Sequence, residues 1–200
     1  MVAGEVREPQ QARSREKYAR ILATTARLLE TTPYDELGTK LIAAEAGVSV
    51  GVLYRFFPDK EAIVDSLVRG WLDRDLAIVA EATSAPVPSK PRELVERLLA
   101  AYAERFRAEP GYRKVWFEGP WVAGPAGRET NRFIAERIHA VLVAEYGVPD
   151  DESRRRRSWL AVETGSYLLG LAFREDPEGD PVLLREAVRM IEVYLLAPED

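Results

Sequence analysis

Residues 39–57 read Thr39-Lys-Leu-Ile-Ala-Ala-Glu-Ala-Gly-Val-Ser-Val-Gly-Val-Leu-Tyr-Arg-Phe-Phe57. The spacing predicts two short helices joined by a tight turn. Thr39 is a good N-cap for the first, and Gly47 can take the positive φ that stops it. Ser49 caps the second, which runs to Phe57 before Pro58 breaks it. Ala43 is small where the two helices would cross. Ile42, Ala46, Val48, Leu53 and Phe57 are apolar at the steps that pin both helices to the one before them. Val50, Gly51 and Val52 open the second helix without bulk or charge, so nothing there holds its backbone away from a partner. Its outer face is expected to carry Tyr54, Arg55 and Phe56 rather than the Glu and Lys of an ordinary solvated face. Lys60 begins the next helix, where amide groups and a cation can together hold a phosphate.

Helical periodicity extends outward in both directions. Tyr18, Ile21, Leu22, Thr25, Leu28 and Leu29 form an apolar stripe that Ser14 is placed to cap and Pro33 ends. A longer helix follows over 60–82, with Ile63, Val64, Leu67, Val68, Trp71, Leu72 and Leu76 on two of its sides. At 1.5 Å per residue it spans roughly 30 Å, enough to join a front domain to a second core. Thr83–Pro91 reads as a linker by composition. Helices are expected beyond it, from Leu94 to Phe106, around Val115–Phe117, and near 128–146, 151–174 and 181–197. Glu109-Pro110-Gly111 and Gly119–Gly127 are read as turn and loop. The expectation is an all-α chain of about nine helices: an arm over 1–13, a helix-turn-helix domain over 14–60, and a second domain over 61–200.

The 200 residues carry no cysteine, one histidine (His139) and a formal net charge of −5. Disulfides, cysteine-ligated zinc and thiol catalysis are therefore excluded, and histidine-based metal sites are disfavoured. Up to Lys60 there are nine Lys/Arg against eight Asp/Glu; from Glu61 onward there are nineteen against twenty-five. The front is thus less acidic than the rest, which is consistent with the two parts meeting different partners. No Gly-x-Ser-x-Gly elbow, phosphate loop or dinucleotide glycine pattern is present, so no enzyme, cofactor or metal is expected. No apolar run reaches the ~20 residues of a membrane helix, and a cytoplasmic protein is expected.

The string Ile42-Ala-x-x-Ala-Gly-Val-Ser-x-Gly-x-Leu-Tyr-x-x-Phe-x-x-Lys60 resembles the DNA-binding domain of the TetR family of bacterial transcriptional regulators. The specific likeness covers about 15–75; beyond that only the helical architecture is shared. The resemblance implies a homodimeric regulator, usually a repressor, that leaves a two-fold operator when a small molecule fills the C-terminal domain. Carried over by position, it implies that Thr39, Tyr54 and Lys60 hold phosphates and that Lys40 reaches a phosphate or a guanine edge. Ser49, which caps the reading helix, is counted among the DNA-binding residues, while Val50, Gly51, Val52 and Arg55 face bases with Phe56 beside them. Position 52 departs from the family, which often has threonine there. Valine offers no hydroxyl, so readout at that point is apolar and Arg55 is left as the hydrogen-bonding base reader.

In the second domain, Tyr102, Phe106, Trp116, Phe117, Trp121 and Tyr167 are expected to line an apolar effector pocket, with Arg137 and Glu163 as polar contacts. The last two helices are expected to form a four-helix dimer interface through Leu160, Leu168, Leu171, Leu184, Val188, Ile191 and Leu195. The Arg154–Arg157 run reads as a solvated face paired with Asp150, Asp151 and Glu152. Two other classes stay open on the residues alone: a helical protein-interaction module that binds no DNA, and a small-molecule-binding enzyme.

Overall fold

The computed structural model describes residues 11–84, 86–118 and 125–197, with only the backbone of Phe117, Glu118, Pro125 and Ala126. Nine α-helices and one 3-10 turn account for the ordered elements among the described residues, and no strand occurs there. The chain divides into two compact units, Met1–Trp71 with Pro110–Trp121, and Leu72–Glu109 with Val122–Asp200.

The first unit holds α1 (Ala12–Thr31), a 3-10 turn (Tyr34–Glu36), α2 (Thr39–Glu45), α3 (Val50–Phe56), the start of α4 (Lys60–Ala82) and α6 (Pro110–Glu118). Buried Ile21, Thr24, Thr25, Leu28 and Leu29 give α1 its inner stripe. The hydroxyl of Thr25 donates to the Ile21 carbonyl at 2.8 Å, so its burial leaves no orphan donor. Thr32 is extended at φ −110°, as a residue before proline prefers, and α1 ends there. Its start differs from expectation: Gln11 occupies the cap position and Ser14 lies inside the first turn, so the expected arm over 1–13 lies outside the described residues up to position 10 and is helical from Ala12.

Helix α6 lies against α1 so closely that a Cβ on Gly111 would fall onto the Ala26 carbonyl oxygen. Gly111 was expected in a turn; it is instead the contact point of two packed helices. Beside it, Tyr112 is buried, edge-on to Trp71 at 5.5 Å and tilted against Trp116 at 5.6 Å.

The second unit holds the rest of α4 with α5 (Pro91–Ala108), α7 (Pro125–Tyr146), α8 (Glu152–Ala172) and α9 (Pro181–Leu196). One apolar cluster joins Val95, Leu99, Leu142, Ala161, Ala187, Val188, Ile191 and Leu195; another joins Val79, Ala82, Leu94, Leu98, Ile134 and Val141. Asp151 and Asp180 accept backbone N–H groups at the starts of α8 and α9, at 2.8 Å and 2.7 Å. The segment read as a linker by composition, Thr83–Pro91, is tied down within this unit: Tyr146 donates to the Pro88 carbonyl at 2.7 Å and Arg97 to that of Pro86 at 3.2 Å.

The arginine run divides by helix face. Arg155 and Arg156 pair with Asp150 and Glu152 as expected. Arg154 and Arg157 instead turn inward and donate to the carbonyls of Leu195 and Ala197, satisfying the end of α9. None of the described helices is long and apolar enough to cross a membrane.

Candidate nucleic-acid interface

The turn between α2 and α3 is made by Gly47 at φ +62°, a conformation that costs a side-chain-bearing residue free energy. The Ser49 hydroxyl accepts from the Val52 N–H at 3.3 Å and starts α3. Along this seven-residue helix, Leu53 and Phe56 point inward together with Phe57 at its cap, all three buried. At 100° per residue, positions 53, 56 and 57 share one face, so Phe56 is not beside the bases as expected. Its ring meets Tyr18 edge-on at 6.0 Å, while Phe57 stacks on the same tyrosine at 4.8 Å. Burying each such ring contributes on the order of 2–3 kcal/mol.

What remains outside is the reading face. Gly51, Tyr54 and Arg55 are exposed, and Val50 and Val52 are half-buried. A Cβ on Gly51 would meet nothing within 4 Å, so a surface can approach the backbone there. Arg55 and Lys40 are exposed and make no hydrogen bond or ion pair among the described residues.

Thr39 was expected to cap α2, but Gly38 occupies that position and Thr39 is the first helical residue. Its hydroxyl lies 3.1 Å from the hydroxyl of Tyr54. The start of α2 and the outer face of α3 thus bring two hydroxyls to one place; one donates to the other, and the second proton is left for an outside acceptor such as a phosphate. At the other end of α2, Glu45 pairs with Arg27 at 3.0 Å and ties α2 to α1.

Lys60 is more engaged than its sequence position suggests. Its ammonium donates to the Tyr34 carbonyl at 2.9 Å and sits 4.3 Å from the centroid of that ring. The Tyr34 hydroxyl donates to Glu61 at 3.1 Å, and burial with that bond pushes its pKa above the usual range. Lys60 therefore anchors the 3-10 turn to α4. Tyr34 was missed in the sequence, where it lies between a helix-ending proline and two acids.

The expected effector residues that are described fall in both units. In the second unit, Phe106 is fully buried with its ring 5.2 Å from Phe173, and the Tyr102 hydroxyl donates to the Asp75 carbonyl at 3.2 Å. Arg137 donates to the Thr83 hydroxyl at 3.1 Å, and Glu163 is half-buried on α8. Tyr167 is 63% exposed, so it lines no interior. Trp116 belongs to the first unit with α6, while Trp121 and the side chain of Phe117 lie outside the described residues. A cleft of about 420 Å³ does lie between α5 and α9, floored by Leu99, Ala100, Ala103, Leu184 and Val188.

The expected dimer residues also separate. Val188, Ile191 and Leu195 are consumed by the unit's own core, Leu168, Leu171 and Leu184 are half-buried, and Leu160 is exposed. The large apolar residues left outside on α8 and α9 are Trp159, Leu160, Tyr167, Val182, Met190, Val193, Tyr194 and Leu196. A wide apolar helix has two faces to choose between, and periodicity alone does not say which one the chain keeps for itself.

Residues 21–67 match the family model for bacterial regulatory proteins of the tetR family, and residues 89–199 match the model for the tetracyclin repressor-like C-terminal domain. The chain is 25% identical over 187 residues to the HTH-type transcriptional regulator BetI of Burkholderia mallei, covering 90% of this chain and 93% of that one. It is 31% identical over 113 residues to the regulator EthR of Mycolicibacterium smegmatis, covering 54% and 52%. Among solved structures, a TetR-family regulator from Streptomyces coelicolor superposes with a TM-score of 0.69 at 31% identity, over 90% of this chain and 97% of that one. The FadR regulator of Bacillus subtilis, solved with stearoyl-CoA, superposes with a TM-score of 0.64 at 15% identity, over 91% and 100%. With both halves of the chain matched and its turn, cap and buried aromatics in register, the protein belongs to the TetR family of transcriptional regulators, which bind DNA in response to small ligands.

Proposed function

We propose that the protein is a homodimeric, cytoplasmic repressor that reads a two-fold duplex site with α3 and leaves it when a small apolar or amphipathic effector occupies the second unit. The observation that carries this reading is the exposed face of α3. It joins a backbone open to close approach at Gly51, an unengaged arginine at position 55, and the Thr39–Tyr54 hydroxyl pair. Val50 and Val52 suit thymine methyl groups, and Arg55 suits a guanine edge. Lys40, Tyr54, Thr39 and Lys60 hold the backbone on either side.

Two such heads read half-sites about one helical turn apart, ~34 Å, and so have to be held together. The exposed apolar side chains of α8 and α9 are suited to that pairing, because a patch of that kind is rarely left to water. The α5–α9 cleft supplies an apolar floor with arginines and glutamates at its rim, a lining suited to an amphipathic effector.

The test is a salt-titrated gel shift on duplexes selected from genomic DNA by the purified protein. Log affinity is expected to fall linearly with log salt, with a slope of about −0.9 per phosphate contact. A protein that shifts no duplex at low salt is an interaction module instead.

A further inference from the structure

Two opposite charges lie buried in the second unit. Asp75 of α4 is 3% exposed and Arg105 of α5 is 6% exposed, and they form an ion pair. Arg105 also reaches Glu109 at 3.4 Å, and Glu109 takes Arg74 of α4 at 3.0 Å. The Tyr102 hydroxyl donates to the Asp75 backbone carbonyl at 3.2 Å. Two consecutive residues of α4, Arg74 and Asp75, are thus tied to Tyr102 and Arg105 of α5 and to Glu109 at its C-cap, on helices whose Leu72, Val79, Leu98 and Phe106 are also buried.

Cohesion is a poor reason for such an arrangement. The attraction between two buried charges does little more than offset their lost hydration, and apolar side chains of similar volume hold two helices at least as firmly. An ion pair adds registry. Apolar surfaces tolerate a small slide or roll, whereas a slide of one residue, 1.5 Å along the axis, separates the two charges while both stay buried.

We infer that the Asp75–Arg105 pair is a register latch on α4: it confines the connecting helix to one position on α5, so that changing the position of α4 means breaking the pair. Asp75 and Arg105 are positioning residues; neither touches DNA. The inference rests on the proposed function: α4 begins in the first unit and continues in the second, so it is the helix through which occupancy of the second unit would act on α3.

The experiment uses the full chain. Because it has no cysteine, Ala77→Cys on α4 and Ala108→Cys on α5, both exposed alanines, accept nitroxide labels for distance measurement, with labelled chains diluted into unlabelled ones. The single variants Asp75→Asn and Arg105→Met are expected to lower Tm by roughly 10 °C, since each breaks the buried pair from one side while the other charge stays in the core. The double variant Asp75→Leu/Arg105→Met is expected to return to within about 3 °C of the parent. Its nitroxide distances should nevertheless broaden, and its affinity for the genomically selected duplex should fall about tenfold, as if a tenth of the molecules held the binding register. Binding to random duplex should not change.

A double variant with the parent's distances and an affinity within threefold of the parent overturns the latch. Should the double variant not fold, Asp75→Glu replaces it: the lengthened acid is expected to displace or split the distances, and an unchanged distribution overturns the proposal. If the parent selects no duplex at all, the proposed function fails separately, and the distances alone still decide the latch.

Discussion

The α2–α3 head and the α8–α9 pair are both pairs of consecutive helices with one face in and one face out, yet the first was far more legible residue by residue. In the head, Gly47, Ser49, Leu53 and Phe57 each have a single position that suits them, and each is found there. In α8 and α9 the apolar face is too broad to specify its orientation. Val188, Ile191 and Leu195 turned inward, and Tyr167, Met190 and Val193 were left outside. A site is legible where backbone geometry restricts the residue type, and obscure where any large apolar side chain will do.

The largest effect that sharpens this contrast is expected inside the head. Phe57→Ala removes a fully buried ring that stacks on Tyr18 and should cost about 3–5 kcal/mol, with a matching drop in Tm and loss of all duplex binding. Next comes Tyr167→Glu/Val193→Glu on the outer face of α8 and α9. Sedimentation at micromolar concentration should show monomers with little change in Tm, and affinity for the selected duplex should fall by roughly 100-fold because one head binds without the other. Dimers that persist in this variant would put the pairing surface elsewhere.

Within the head, Arg55→Ala is expected to cost about 1–3 kcal/mol on the selected duplex and far less on random DNA, since it removes base readout alone. Lys40→Ala should weaken both duplexes equally, severalfold, and reduce the salt slope by about one contact. Lys60→Ala is a poorer probe of phosphate binding, because it also releases Tyr34. Equal loss of selectivity in the Arg55 and Lys40 variants would defeat the division between base and backbone contacts.

The smallest effect belongs to the second unit. Buried His139 lies 3.0 Å from Asp150, whose pKa is held below the usual carboxylate range chiefly by that bond. The depressed pKa means that the stability it contributes is present above about pH 4 and is lost on further acidification. A urea-midpoint series from pH 6 to pH 2 should therefore show a shallower acid decline in Asp150→Asn than in the parent.

The all-helical fold, the capping serine, the turn glycine and the inward Leu53 and Phe57 were all legible in the sequence, each through a local rule. Phe56 was misplaced because adjacent aromatics on a short helix straddle the boundary between its two faces. Asp75 and Arg105 were passed over although both stand in register with apolar stripes, Leu72, Val79 and Ala82 on α4 and Leu98 and Phe106 on α5. A charge standing at a core position was the available signal. The aromatic group expected to line a pocket was harder to place for the opposite reason: large rings pack wherever there is core, as Phe106 does against Phe173, and their abundance locates no cavity.

Helix α6 has a practical consequence for anyone building chimaeras. Gly111 and Tyr112 lie against Ala26 and Trp71, so the DNA-binding unit is completed by a stretch encoded after the whole of α5. A fragment truncated at Lys90 would leave that flank of α1 bare, and grafting the reading head onto a relative means transplanting two separate pieces of gene.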